Sequence, residues 1–104
     1  MIVKLTTENF SDAIEDADPI LVDFWASWCG PCMMQGEILE EVDKLHPEYR
    51  IGKVNVDENR ELAAQFGIEA IPTMIVFQGG QAVERIVGMR QASDIRAIFM
   101  KYED

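Results

Sequence analysis

The sequence WASWCGPC, residues 25–32, decides the fold and contains the only two cysteines of the chain. An apolar run precedes it, residues 20–25, and a run with helical periodicity follows it, residues 33–46. The cysteines therefore lie where a strand ends and a helix begins. Two thiols separated by two residues can close a small disulfide ring and open it again, so the spacing predicts redox chemistry.

Composition limits the class of protein. The 104 residues, 48% of them hydrophobic, predict one domain, residues 1–104, with a single core. The net charge of -10 argues against nucleic acid or an anionic membrane surface as the main partner. Neither a signal peptide nor a membrane-spanning run is visible, so we expect a cytoplasmic monomer. In a reducing cytosol, a lone cysteine pair is more often catalytic or metal-binding than structural.

The remaining patterns predict the order βαβαβαββα, an α/β domain with a mixed sheet and helices on both faces. Thr6 and Thr7 are candidate N-caps of the first helix, and a Gly79-Gly80 turn predicts an antiparallel hairpin. Strands are expected at residues 2–5, 20–25, 50–57, 74–77 and 82–87, and helices at 10–17, 33–46, 61–66 and 92–102.

The two cysteines have different predicted roles. A free cysteine is only about 3% ionised at pH 7, so the reactive thiolate needs stabilisation. Cys29 precedes the predicted helix, where unpaired N–H groups and the helix dipole favour an anion. Gly30 permits the tight turn, and Pro31 suits an early helical position. We therefore interpret Cys29 as the attacking sulfur and Cys32 as the sheltered, resolving sulfur.

Two other interpretations of the pair are an inert buried disulfide and half of a metal site. A zinc or iron–sulfur site normally needs four ligands. The only further Cys or His is His46, about four helical turns away. No metal site is therefore predicted within one chain.

Asp23 interrupts the apolar strand that leads to the cysteines. It could point to solvent from a less buried strand, or it could be buried, which would raise its pKa. Our hypothesis is that Asp23 lies beneath the cysteines and exchanges a proton with Cys32. Lys53, on the next predicted strand, would tune that carboxyl group.

The residues above, together with Ile71-Pro72-Thr73 and Gly88 at their spacings, give a chain that resembles the thioredoxin family over essentially its full length. The resemblance implies a central five-stranded mixed sheet flanked by four helices. It implies a protein-disulfide reductase that binds no cofactor and receives electrons from NADPH through a thioredoxin reductase. Its other partners would be varied disulfide-containing proteins.

The resemblance also implies a cis Ile71–Pro72 peptide that faces the cysteines, with the backbone of Ile71 pairing with the substrate chain. It implies an apolar contact surface around the thiols, formed by Trp28, Gly30, Pro31, Val56, Ile71, Pro72, Val87, Gly88 and Met89. For Val56 and Val87, ordinary strand packing is an equally good interpretation.

Three residues depart from the family pattern. Met33 replaces a common Lys or Arg, and Glu37 replaces a proline that usually kinks the long helix. Gly36 directly precedes Glu37, and our hypothesis is that this glycine preserves part of the bend that the proline would impose on the helix. These departures leave the reduction potential and the preferred reductase open.

Other functions remain possible from the sequence. A disulfide oxidase or isomerase on the same fold is the main competitor, although Gly30-Pro31 and the missing signal peptide favour a reductant. A binding module with incidental cysteines is a second alternative. A dimer that shares a metal between two cysteine pairs is a third.

Overall fold

The computed structural model describes residues 1–103 of the chain. The described residues form five strands and four helices in the predicted order. Their bounds are β1 Ile2–Lys4, α1 Phe10–Ile14, β2 Ile20–Trp25, α2 Gly30–Leu45, β3 Arg50–Asn55, α3 Arg60–Gln65, β4 Thr73–Gln78, β5 Gln81–Val87 and α4 Ala92–Lys101. None of these helices combines the length and the apolar composition that crossing a membrane requires.

The strands form one mixed sheet in the order β1-β3-β2-β4-β5. Strand β3 pairs in parallel with β1 and with β2, whereas β4 runs antiparallel to β2 and to β5. The predicted five-stranded mixed sheet is therefore confirmed. Strand β2 occupies the centre, which explains why residues 20–25 are almost entirely apolar.

Two helices cover each face of the sheet. Helices α1 and α3 pack on one face, where the buried side chains are Leu5, Phe10, Ile14, Ile20, Val22, Phe24, Val54, Leu62, Ile75 and Phe77. Helices α2 and α4 pack on the other, where they are Leu21, Leu39, Val42, Tyr49, Ile51, Met74, Val76, Ile86, Ile95 and Phe99. Because side chains alternate along β2, Asp23 shares the second face with Leu21.

Helix α1 is shorter than the pattern predicts. It ends at Ile14 rather than at residue 17, and Ala17 is exposed. The carbonyl of Ile14 accepts a hydrogen bond from Gly80 N–H (2.8 Å), and the Arg50 guanidinium donates to the carbonyl of Ala13 (2.7 Å). These distant donors satisfy the last carbonyls of α1, so no further turn is needed.

The N-cap of α1 is Asn9 rather than Thr6 or Thr7, and it makes no side-chain capping hydrogen bond. Its side-chain oxygen accepts from Thr6 N–H at 2.7 Å, and the Thr6 hydroxyl accepts from Glu8 N–H at 3.3 Å in the turn before the helix. Leu45, the last residue of α2, is 69% exposed. The hairpin turn is as predicted, with φ of +60° at Gly79 and +82° at Gly80.

Candidate active site

Cys29 and Cys32 form a disulfide at the start of α2, with their Cα atoms 5.2 Å apart. Cys29 is the N-cap of the helix, and its sulfur accepts a hydrogen bond from the backbone N–H of Cys32 at 3.2 Å. Pro31 lies in the first turn, as predicted. Cys29 retains 6% exposure, whereas Cys32 has none. The more accessible sulfur is therefore also the one that faces the helix N-terminus, where negative charge is stabilised.

Asp23 is completely buried, which excludes the solvent-facing interpretation. Among residues 1–103, neither of its carboxylate oxygens has a hydrogen-bond partner. Burial raises the pKa of Asp23 from 3.8 to about 7, and the positive charge of Lys53 acts in the opposite direction. Asp23 and Lys53 are direct neighbours in the parallel register of β2 and β3. This carboxyl group can therefore both hold and release a proton near neutral pH.

The Lys53 ammonium is fixed from two further sides. It lies 4.6 Å from the centroid of the Trp25 ring, a cation–π contact. On the other side is Gly36 of α2, where an added Cβ would lie 3.1 Å from the Lys53 nitrogen. Helix α2 runs without interruption through Gly36. In this position the glycine leaves room for the Lys53 ammonium.

The Ile71–Pro72 peptide is cis, as the resemblance implied. The carbonyl oxygen of Ile71 lies 3.8 Å from the Cys29 sulfur. The carbonyl of Pro72 accepts a hydrogen bond from Gly88 N–H at 2.9 Å. The structure thus brings Ile71, Pro72 and Gly88 together next to the cysteines.

The predicted contact residues differ in accessibility. Trp28 is 70% exposed and Val87 is 52% exposed. Val56, Ile71, Gly88 and Met89 are half-buried, Gly30 and Pro31 are exposed, and Pro72 is buried. A partner that docks here would meet the ring of Trp28 and the backbone beside Ile71 rather than the ring of Pro72.

Sequence reasoning missed two residues that organise this region. Asp57 accepts a hydrogen bond from the indole nitrogen of Trp28 at 2.8 Å, so the exposed ring has a fixed orientation. Gln35 is completely buried and bonds to the backbone of Arg90. A signal for Gln35 was available, because it lies three residues after Cys32 and four before Leu39, on the buried face of α2.

The site contains no grouping suited to a metal ion. Within the described part of the chain, no three side chains of His, Cys, Asp or Glu lie together as ligands.

Comparison with known proteins identifies the family. The family model described as Thioredoxin matches residues 1–101. A thioredoxin from Alicyclobacillus acidocaldarius is 47% identical over 96 residues, which are 91% of each chain. A bifunctional thioredoxin reductase/thioredoxin from Mycobacterium leprae is 49% identical over 82 residues, 78% of this chain and 18% of that protein.

The fold gives the same answer. The X-ray structure of a thioredoxin from Fasciola hepatica superposes with a TM-score of 0.87 at 32% identity, covering 99% of this chain and 100% of that one. With a family model over almost the whole length and a redox-active cysteine pair at the start of α2, the chain belongs to the thioredoxin family of disulfide oxidoreductases.

Proposed function

We propose that this protein reduces disulfide bonds in other proteins, with Cys29 as nucleophile and Cys32 as resolving residue. The difference in environment between the two sulfurs is the main support. Cys29 caps the helix and keeps 6% exposure, whereas Cys32 has none. An incoming disulfide therefore reaches Cys29 first.

In the first step, the Cys29 thiolate attacks one sulfur of the substrate disulfide. The substrate S–S bond breaks, a bond forms between Cys29 and that sulfur, and the other substrate sulfur leaves as a thiolate that takes a proton from solvent. The hydrogen bond from Cys32 N–H and the N-terminus of α2 stabilise the attacking thiolate.

In the second step, Cys32 loses its proton and attacks the Cys29 sulfur. The mixed disulfide breaks, the second substrate sulfur leaves, and the Cys29–Cys32 disulfide forms. Asp23, with its pKa raised to about 7, is the group that we propose accepts the Cys32 proton. The net result is a reduced substrate dithiol and an oxidised protein, the form that the structure shows.

The substrate chain would lie across Ile71, between Trp28 on one side and Gly88 and Met89 on the other. Gly30 and Pro31 would leave the attacking sulfur accessible from this side. The position of the Ile71 carbonyl, 3.8 Å from the Cys29 sulfur, supports this placement. The exposed ring of Trp28 and the half-buried Met89 supply apolar area without demanding one particular partner sequence.

Recharging requires two electrons, which we propose come from NADPH through a separate thioredoxin reductase in the cytoplasm. The Mycobacterium leprae relative supports this, since its name joins a thioredoxin reductase and a thioredoxin in one protein. No bound cofactor enters the scheme, because the cysteine pair itself carries the electrons.

Insulin reduction with NADPH and a thioredoxin reductase tests the proposal. Wild type should turn over, Cys29→Ser should be inactive, and Cys32→Ser should accumulate a mixed disulfide through Cys29. No turnover by wild type with any reductase, or a trapped disulfide through Cys32 instead, would contradict it.

A titration of the cysteine pair against glutathione separates a reductant from an oxidase or isomerase. For this two-electron couple, ~30 mV corresponds to ~1.4 kcal/mol. A potential more negative than that of the glutathione buffer supports reduction of substrates. A clearly more positive potential would favour an oxidising role.

A further inference from the structure

The loop at residues 88–91, between β5 and α4, is attached to the resolving-cysteine helix by a buried side chain. Gln35 has no exposed surface and lies one turn after Cys32 in α2. Its amide nitrogen donates to the carbonyl of Arg90 at 3.1 Å, and its amide oxygen accepts from Arg90 N–H at 2.7 Å. One side chain thus pairs with both backbone groups of a single loop residue.

The same loop is attached at its other end to the segment that contains the cis proline. Gly88 N–H donates to the carbonyl of Pro72 at 2.9 Å, and Gly88 has φ of +93°, a conformation that favours glycine. Between the two attachments, the Arg90 guanidinium donates to the carbonyl of Met89 at 3.1 Å. The backbone of Gly88 and Met89 is therefore fixed relative to helix α2 and to the segment that contains the cis proline.

Packing alone does not explain a glutamine at this position. The other buried residues of α2 are Cys32, Leu39 and Val42, so Gln35 is the only amide in an apolar stripe. A leucine or methionine would fill the same volume. A buried amide is unfavourable unless its donor and acceptor are both satisfied, and here the same backbone unit satisfies both. The two bonds together fix the distance and the rotation of the loop.

We propose that Gln35 is a positioning residue that determines how tightly protein substrates bind. It holds the 88–91 loop at the correct distance from Cys29, so that Gly88 and Met89 meet a docked substrate chain. Both of its side-chain hydrogen bonds are to the backbone of Arg90 and neither is to a sulfur atom. This inference rests on the proposed function and adds to it a residue that acts on substrate affinity rather than on thiol reactivity.

Gln35→Met tests the proposal, because it keeps the volume and removes both hydrogen bonds. We expect the KM for insulin to rise about tenfold, the effect of losing two ordinary hydrogen bonds that fix the loop, with kcat changed less than about twofold. The rate of reaction with the small disulfide DTNB, which needs no docking loop, should match wild type. Amide exchange at Arg90 should become faster in the variant.

Leu39→Val is the matched control, since it shortens a buried side chain of the same helix one turn further from the loop. It should leave the KM for insulin and the exchange rate at Arg90 unchanged. An unchanged KM in Gln35→Met, or an equal rise in Leu39→Val, would overturn the inference while the proposed function stands. Wild-type protein that fails to reduce insulin would overturn both.

Discussion

The buried carboxyl group of Asp23 makes the stability of the folded protein depend on pH, and Asp23→Asn isolates this dependence. In the folded chain, burial raises the pKa of Asp23 to about 7, whereas its ordinary value is 3.8. Between these two values, the folded chain keeps a proton that the unfolded chain has released. Folding then takes up a proton, so the free energy of unfolding falls as pH rises.

The interval from 3.8 to about 7 spans about three pH units, each worth ~1.4 kcal/mol. The stabilising contribution of protonated Asp23 is fully present below pH 3.8 and is lost above about pH 7. Wild type should therefore lose ~4 kcal/mol relative to Asp23→Asn between acid and alkaline pH. Small domains have a total stability of only about 5–15 kcal/mol, so the effect is large enough to measure.

Urea unfolding of the oxidised proteins, followed by far-UV circular dichroism from pH 4 to pH 9, measures the effect. The buried asparagine adds its own cost, but that cost does not depend on pH, so only the change of the difference with pH matters. Glu41→Gln, which removes an exposed negative charge from α2, reports the general effect of net charge. A stability difference between wild type and Asp23→Asn that stays constant across this range would refute the reasoning.

Three further substitutions test the surroundings of the cysteines. Lys53→Met should raise the pKa of Asp23 further, because it removes the opposing charge. Carbon-13 NMR of the carboxyl group measures this pKa, and an unchanged value would contradict the effect assigned to the Lys53 charge. Gly36→Ala should also raise the pKa of Asp23, because the added methyl group displaces the Lys53 ammonium. The alanine itself adds up to ~1 kcal/mol of helix stability. An unchanged pKa of Asp23 would mean that the ammonium moves at no cost. Asp57→Ala should release the Trp28 indole and increase its fluorescence depolarisation, whereas Asp57→Asn, which keeps an acceptor oxygen, should not.

Much of the fold follows from local patterns. The bounds of β2 were predicted residue for residue, because a central strand covered on both faces admits almost no polar side chain. The Gly79-Gly80 turn was predictable because a tight hairpin turn requires positive φ, which glycine adopts readily, and both residues have it. The end of α1 was not predicted, since its last carbonyls are satisfied by Gly80 and Arg50, far along the chain.

The site divides in the same way. The roles assigned to Cys29 and Cys32 depend on a spacing of three residues and on a helix start, both of which are visible locally. Gln35 and Asp57 depend on partners 55 and 29 residues away, so their spacing in the sequence says nothing about the contact. A polar residue on an otherwise buried helical face was the one available indication for Gln35.

Residues on the two sides of helix α2 can affect the cysteines in different ways. Those on its buried side act within the protein, and those on its exposed side act through solvent. The departures from the family pattern at Met33 and Glu37 are both on the outside, with Met33 40% exposed. Surface charges at such positions contribute about 0–1 kcal/mol and are screened within ~10 Å at 0.1 M salt. For a two-electron couple, that limits their effect on the reduction potential to ~20 mV. Ionised Asp23 lowers the stability of the folded chain by ~4 kcal/mol at alkaline pH. If a quarter of this cost differed between the oxidised and reduced forms, the difference would equal the whole surface contribution. A redox-dependent difference larger than that quarter would make Asp23, with Lys53 lowering its pKa, a stronger influence on the driving force than the two exposed departures.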